Sequence, residues 1–526
     1  MLSPLRLLIF GVALLATAAL AGSIYGTQVQ ATTTSDEDFE ASLKTFTALL
    51  SMVERNHATA VDAATAVYGA IDGMLRTLDP HSKFFSPADF RRLREDQRGK
   101  YYGLGITVTS RFGKVTVVSP PFPGAPAEKV GLRVGDVLSH VNGEPTEGVD
   151  LTTVVGKLKG PKGTPVNVTV TRPGVDEPFE VTIIRDEISK FTISNAFEIR
   201  NGIGYIKIDN FAETTGAELR LALEELEIKD LKGLVLDLRG NPGGLLQEAI
   251  EVSSMFLQKG QLIVETRGRT RGSNRPYASQ RVNNDNLYPL VVVINRQSAS
   301  ASEIVAGAIQ DHDRGLIVGE TSFGKGLVQS VYPLRKRAGL ALTTQKWHTP
   351  SGRLIQRDYS EISQFDYYNR RNGEVAHKEA EITYSDLGRK VYGGGGITPD
   401  VNVPTPELNE FEDLMTKRFS FYTFVRDFLS ENPTVTLDFA VSDAMLRKFG
   451  GHLLEREIEV GENALAENAD FVKRMIKYEV FYNRLGVSDA AKVLLNGDRQ
   501  ILRALELLPE AGELSIRARS AMAQRQ

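Results

Sequence analysis

Three short segments hold residues that could do chemistry, and each also has a plain structural reading. Ser298-Ala299-Ser300-Ala301-Ser302-Glu303 follows an apolar run and opens a helical stretch. A serine at such a turn is presented outward near the positive end of a helix, which suits a nucleophile. Ser300-x-x-Glu303 is equally a capping box, in which the serine only satisfies helix amides. Asp237-Leu238-Arg239-Gly240-Asn241-Pro242-Gly243-Gly244 leaves a second apolar run and enters a helix. Its paired glycines either expose N–H groups toward a developing oxyanion or merely relieve a tight turn. Gly319-Glu320-Thr321-Ser322-Phe323-Gly324-Lys325-Gly326 follows a third run. Lys325 can act as a base only if desolvation, for instance beside Phe323, pulls its pKa well below ~10.4. A solvated lysine between two glycines is the plain alternative.

Rival chemistries fit less well. The third segment nearly matches the phosphate-binding pattern G-x-x-x-x-G-K-[ST]. Gly326 stands where the magnesium-binding hydroxyl belongs, however, and no helix is expected to follow. A histidine base for Ser300 is the usual arrangement. His312 lies twelve residues further along a mostly helical stretch, which puts it roughly 18 Å away. His81, His348 and His377 qualify only if the fold delivers them. No H-E-x-x-H occurs, so zinc hydrolysis is unsupported; no metal and no cofactor are expected.

The elements that must position these segments follow from periodicity. Residues 188–404 alternate strands with helices. Ile203–Ile208, Gly233–Leu238, Leu262–Thr266, Leu290–Ile294 and Leu316–Gly319 read as buried strands. Gly216–Leu226, Leu245–Leu257 and Glu303–Gln310 read as the helices between them, an order that favours a largely parallel sheet. Gln329–Leu334 and Leu340–Lys346 add strands. Residues 35–97 and 405–526 read as helical flanks, and no catalytic motif occurs in the second of them. Leu78-Asp79-Pro80-His81-Ser82 punctuates the first, because proline disfavours helix at the residue before it.

Residues 98–187 change to short β-rich runs separated by glycine turns, with one helix at Leu151–Lys159. Gly103-Leu104-Gly105-Ile106 opens this unit. Successive backbone N–H groups in such a loop can hold a free C-terminal carboxylate. The strand that follows can then accept a peptide tail by β-augmentation, with the helix as the other wall of the groove. Taken alone, the tetrapeptide reads equally as a glycine turn. With Ala125-Pro126-Ala127, Gly131-Leu132-Arg133-Val134-Gly135-Asp136-Val137-Leu138 and Val141-Asn142-Gly143, it resembles the PDZ signature.

Composition bounds the class. At 526 residues the chain is too long for one ordinary core. The net charge of −4, with no arginine-rich arm, gives no reason to expect nucleic acid. The absence of cysteine excludes disulfides, thiolate chemistry and a lipoprotein anchor. Arg6, the apolar run Leu7 to Leu20 and Ala19-Leu20-Ala21 match a secretory signal within residues 1–31. About 14 apolar residues are short for a span of ~20, although Ile24 and Tyr25 leave an uncleaved anchor open. The protein is expected to be exported, periplasmic or tethered to the inner membrane on its extracytoplasmic side.

The ordered set GLGI, LRGNPGG, SASASE, GETSFGKGLVQ and Tyr392-Gly393-Gly394-Gly395-Gly396-Ile397-Thr398-Pro399-Asp400 resembles the carboxyl-terminal processing, or tail-specific, proteases from about Leu75 to Val403. The resemblance implies a multidomain α/β protein: a crotonase-like α/β protease core, a PDZ domain inserted in it or preceding it, and helical flanks. It implies a serine endopeptidase with Ser300 as nucleophile, Lys325 as general base and Gln329 orienting the lysine. The backbone N–H groups of Gly243 and Ala301 would serve as oxyanion donors. In this family the PDZ domain reads substrate tails, here through Gly103, Leu104, Gly105 and Ile106, and gates access to the site, with Arg172 as the candidate gating residue. Substrates would be proteins with exposed C-terminal tails. Homo-oligomers, including dimers through terminal helices, and dependence on an adaptor protein both occur in the family. A non-catalytic PDZ scaffold and a crotonase-type acyl-CoA enzyme are the competing readings.

Overall fold

The computed structural model describes residues 36–227, 231–280, 288–360, 362–369, 381–432, 434–461 and 463–525. The apolar N-terminal run and His377 lie outside them. The chain divides into two compact units, Met1–Thr77 and Leu78–Gln526.

In the first unit, helices Asp36–Asn56 and Ala63–Arg76 are described. The Asp62 carboxylate caps the second by accepting from the Ala64 and Thr65 N–H groups, which have no partner of their own in the first turn. Phe39, Leu43, Phe46 and Leu49 form an exposed apolar stripe along the first helix.

The second unit is organised by a six-stranded sheet in the order Ile193–Arg200, Ile203–Ile208, Gly233–Asp237, Leu290–Ile294, Leu316–Gly319, Val401–Asn402. The first pair is antiparallel and the others are parallel. Both faces are buried, and the alternation of side chains shows why the strands read as continuous apolar runs. Leu234, Leu236, Leu290, Val292 and Ile294 face a core shared with helices Thr215–Glu227, Leu246–Ser254 and Ala301–Asp311. Val235, Val291, Val293 and Val318 face a second core with Leu495, Ile501, Leu505 and Leu508. The C-terminal helices Arg499–Glu506 and Leu508–Arg525 are therefore the third layer of the core. Nothing in their own sequence announces that role, because an apolar stripe does not name what it covers.

A second, antiparallel sheet contains Leu262–Gly268, Arg275–Ala278, Leu327–Pro333, Gly339–His348 and Lys83–Phe85. Leu262–Gly268 was expected among the buried parallel strands. It lies here instead, antiparallel to Gly339–His348, with Ile263, Val264 and Thr266 buried and Arg267 exposed. Lys83–Phe85 pairs with Gly339–His348, so one short piece of the stretch read as an N-terminal helical region is a strand of this sheet, ahead of helix Pro87–Arg98.

The β-rich domain is joined to the core by paired strands Lys100–Gly103 and Asp186–Ser189, which makes it an insertion. Its six-stranded sheet and the helix Leu151–Leu158 enclose Val117, Leu138, Val154, Val168 and Ile183. A further helical cluster around Phe424, Phe449 and Ile476 lies between residues 410 and 490. It meets the β-rich domain where the Arg111 guanidinium lies 3.7 Å over the Tyr422 ring.

Candidate active site

The three chemical segments leave the carboxyl ends of three adjacent parallel strands, Gly233–Asp237, Leu290–Ile294 and Leu316–Gly319. Loops at that edge of an open sheet converge. They surround a cavity of about 550 Å³ whose walls include Lys325, Phe323, Ala299, Pro242, His81 and Tyr368.

Ser300 stands at the N-terminus of helix Ala301–Asp311 with φ 54° and ψ −110°, a conformation that is costly for a residue with a Cβ. The Ser300 N–H donates to Glu303 Oε2 at 2.7 Å, the glutamate's arm of the expected capping box. That carboxylate does more than cap. It also accepts from Ser322 Oγ at 2.5 Å, Gly324 N–H at 2.7 Å and Lys325 N–H at 2.9 Å. Glu303 is fully buried, and burial pushes its carboxyl above the usual range despite these four bonds. It ties the Ser300 turn to the Lys325 loop. The sequence contained the residue, but a capping-box pattern shows only its local partner.

Phe323 N–H, bonded to the Ser298 carbonyl at 2.9 Å, makes a second tie. The Trp347 indole N–H donates to the Lys325 carbonyl at 3.1 Å. Among the described residues Lys325 Nζ makes no hydrogen bond. Burial lowers its pKa, opposed by the charges of Glu303 and Asp79. Gln329 lies on strand Leu327–Pro333, just beyond the lysine loop, and donates through Nε2 to Thr343 Oγ1 at 3.4 Å.

The glycine turn packs directly on Ser300. A Cβ added at Gly243 would lie 2.6 Å from the Ala299 carbonyl oxygen and 2.8 Å from Ser300 Cβ, and φ there is +94°, so only glycine fits. The Gly243 N–H, expected as an oxyanion donor, donates to Asn241 Oδ1 at 2.8 Å. The side chain of this Asn-Pro-Gly turn satisfies its own backbone. The N–H groups of Gly244 and Ala301 have no partner among the described residues. Arg239 anchors the turn from outside by pairing with Asp237 at 2.7 Å and Asp498 at 2.7 Å. Burial works against the Asp237 carboxylate, but Arg239 and Lys207 hold its pKa down at about 2.

The histidines sort cleanly. His81 reaches the cavity, but its Nε2 meets Tyr367 Oη at 2.9 Å and its Nδ1 meets Tyr368 Oη at 3.3 Å. Burial and the nearby Lys325 lower its pKa to about 4. His312 is bonded to Asp386 and to the Leu262 carbonyl, and His348 lies near Glu265 and Arg267.

In the β-rich domain, Leu104, Gly105 and Ile106 line a groove of about 290 Å³ with Val155, Leu158, Phe122 and Lys159. Gly103 does not line it; it ends the joining strand opposite Asp186. The carbonyls of Leu104 and Gly105 accept from Ala127 and Phe122, whereas the N–H groups of Leu104, Gly105 and Ile106 have no partner among the described residues. Strand Val108–Arg111 is the outer edge of its sheet. Arg172 does not line the cavity beside Lys325. It pairs with the buried Asp136 at 2.7 Å and donates to the Gly131 carbonyl at 2.8 Å. It borders a separate cavity of about 330 Å³ shared with Tyr422 and Arg426.

The model of peptidase family S41 matches residues 202–362, and that of a PDZ domain matches residues 117–172. A carboxy-terminal-processing protease of Bartonella bacilliformis is 40% identical over 329 residues, which is 62% of this chain and 75% of the relative. The carboxy-terminal processing protease CtpB of Bacillus subtilis is 35% identical, over 65% of this chain and 72% of the relative. Among solved structures, a photosystem II D1 C-terminal processing protease is 30% identical, covers 66% of this chain and 84% of its own, and superposes with a TM-score of 0.35. The chain belongs to the carboxy-terminal processing proteases, serine peptidases of family S41 that carry a PDZ domain.

Proposed function

We propose that the protein cleaves exported proteins near their free C-termini, using Ser300 as nucleophile and Lys325 as general base, with the PDZ groove holding the substrate's tail. The observation that carries this reading is a half-buried lysine, lowered in pKa and with no hydrogen bond to Nζ among the described residues, whose loop shares one buried carboxylate with the serine turn. As Ser300 Oγ attacks the scissile carbonyl carbon, its proton passes to neutral Lys325 Nζ, and the carbonyl oxygen becomes an oxyanion. The N–H groups of Ala301 and Gly244, which have no partner among the described residues, are donors available to it. Gly243 could join them only by releasing Asn241. Lys325 then returns the proton to the leaving amine nitrogen. An acyl-enzyme on Ser300 remains; a water deprotonated by Lys325 attacks its carbonyl carbon, and the lysine passes that proton to Ser300 Oγ as the ester C–O bond breaks. Gln329, on the strand that continues from Lys325, orients the lysine.

Tail recognition rests on the N–H groups of Leu104, Gly105 and Ile106, which have no partner among the described residues, beside an apolar groove and an open strand edge. This arrangement suits a terminal carboxylate preceded by an apolar side chain. Export rests on the apolar run between Leu7 and Leu20; among the described residues no helix is long and apolar enough to cross a membrane. The test compares cleavage of a disordered reporter ending in an apolar free carboxylate with cleavage of the same reporter amidated at its end. The free tail is expected to give a kcat/KM roughly tenfold higher or more. Equal rates would remove the tail from the account.

A further inference from the structure

The segment Leu78-Asp79-Pro80-His81-Ser82, which in the sequence looked like helix punctuation, sits in the structure beside the lysine loop. Asp79 is buried, and four donors converge on its two oxygens. Oδ1 accepts from the N–H groups of His81 at 2.8 Å and Ser82 at 2.7 Å, and from Thr343 Oγ1 at 3.1 Å. Oδ2 accepts from Ser82 Oγ at 2.7 Å. On the other side of Thr343, Gln329 is its direct cross-strand partner, and Gln329 Nε2 meets Thr343 Oγ1 at 3.4 Å. The Thr343 N–H also donates to Ser82 Oγ at 3.1 Å, so the threonine is held from the Asp79 segment at two points.

The hydroxyl of Thr343 has one proton, and the carboxylate of Asp79 has none to offer. Once that proton goes to Asp79, Thr343 can only accept from Gln329. The amide must then turn its NH₂ toward Thr343 and its carbonyl Oε1 the other way. An ammonium formed on Lys325 during the reaction needs an acceptor, and a reversed amide would offer it only donors.

We propose that Asp79 is a positioning residue for catalysis: through the Thr343 hydroxyl it fixes which end of the Gln329 amide is presented to Lys325. This rests on the Ser300–Lys325–Gln329 reading above. The segment serves the site twice, since it also places His81 in the cavity wall next to Lys325.

The test is a set of steady-state measurements on the full chain with the free-tailed reporter. Thr343→Val keeps the shape and removes the relay; it is expected to lower kcat roughly tenfold with KM unchanged. Thr343→Ser restores the hydroxyl and should return kcat to near the native value. The double variant Thr343→Val/Gln329→Ala should be no slower than Gln329→Ala alone, because both changes break one chain. Asp79→Ala should lower kcat at least as much as Thr343→Val. If Asp79→Ala does not fold, the threonine series decides by itself. Native kcat in Thr343→Val, or losses that multiply in the double variant, would overturn the relay. Native kcat in Gln329→Ala would also overturn it while leaving the Ser–Lys reading standing. Turnover retained in Ser300→Ala or Lys325→Ala would instead sink that reading.

Discussion

The backbone N–H groups of Ser300 and Lys325 donate to the same atom, Glu303 Oε2, at 2.7 and 2.9 Å. Their nitrogens can be no further apart than those two bonds laid end to end. Residues 25 positions apart in the chain are thereby fixed by one buried oxygen. Glu303→Gln puts an amide NH₂ against at least one of the donors that now point at a carboxylate. It is expected to destabilise the protein by about 1–3 kcal/mol and to lower kcat more than it raises KM. Urea unfolding and steady-state kinetics measure the two effects. Native kcat in a folded Glu303→Gln protein would show that the tie does not set the geometry.

The pH dependence follows from Lys325. Burial favours its neutral form and so lowers its pKa below the ordinary 10.5. The free enzyme is then active with the lysine deprotonated. Log kcat/KM should rise with unit slope as pH increases and level off below the ordinary lysine range. His81 is already neutral above pH of about 4 and adds no step near neutrality. Neutralising Asp79 as Asn removes a charge that favours the ammonium, so the rising limb should move to lower pH. A limb that stays in place in Asp79→Asn, or one that lies at 10.5 or above in the native protein, would contradict this assignment.

The tail groove depends on one glycine. Gly105 has φ +76°, and a Cβ there would lie 2.3 Å from Ala125 Cβ. Gly105→Ala is therefore expected to displace the loop and weaken binding of an apolar-tailed peptide by roughly tenfold or more. Fluorescence titration of a labelled peptide reads this out. The thermal midpoint of the core should barely change, because the domain is joined to it by a two-stranded ribbon. Unaltered affinity would mean that tails dock elsewhere.

Arg239 is expected to matter first for stability. Asp237 is held near pKa 2 against an ordinary 3.8. The pair's contribution is complete above pH 3.8 and is lost as pH falls through about 2. Arg239→Met leaves the buried Asp237 without its main partner, and the expected cost is about 3–5 kcal/mol at neutral pH. The measurement is urea unfolding at several pH values. The acid-dependent loss should be smaller in the variant than in the native protein.

Much of this was legible in the sequence, for identifiable reasons. Strands such as Leu290–Ile294 and Leu316–Gly319 are buried on both faces, so they appear as unbroken apolar runs with sharp ends. Ser300, Lys325 and the glycine turn stand at the ends of such runs, where chain order alone places them on one sheet edge. What could not be read was long-range partnership. Asp79 is 264 positions from Thr343, and no local pattern announces that pairing. Asp498 is likewise 259 positions from Arg239. The Asn241 side chain takes the Gly243 N–H, because an asparagine two residues before a glycine can satisfy the turn internally. Only the folded turn shows that it does.

The central claim is that Ser300 and Lys325 perform the cleavage together. Its most direct test is the initial rate on a disordered, free-tailed reporter for the native protein, Ser300→Ala and Lys325→Ala, with tail-peptide binding measured on the same samples. The account predicts that both variants bind the tail with native affinity and lose turnover by a factor on the order of 10⁴ or more. Turnover persisting in Lys325→Ala at more than a few per cent of the native rate would contradict it and point to another base.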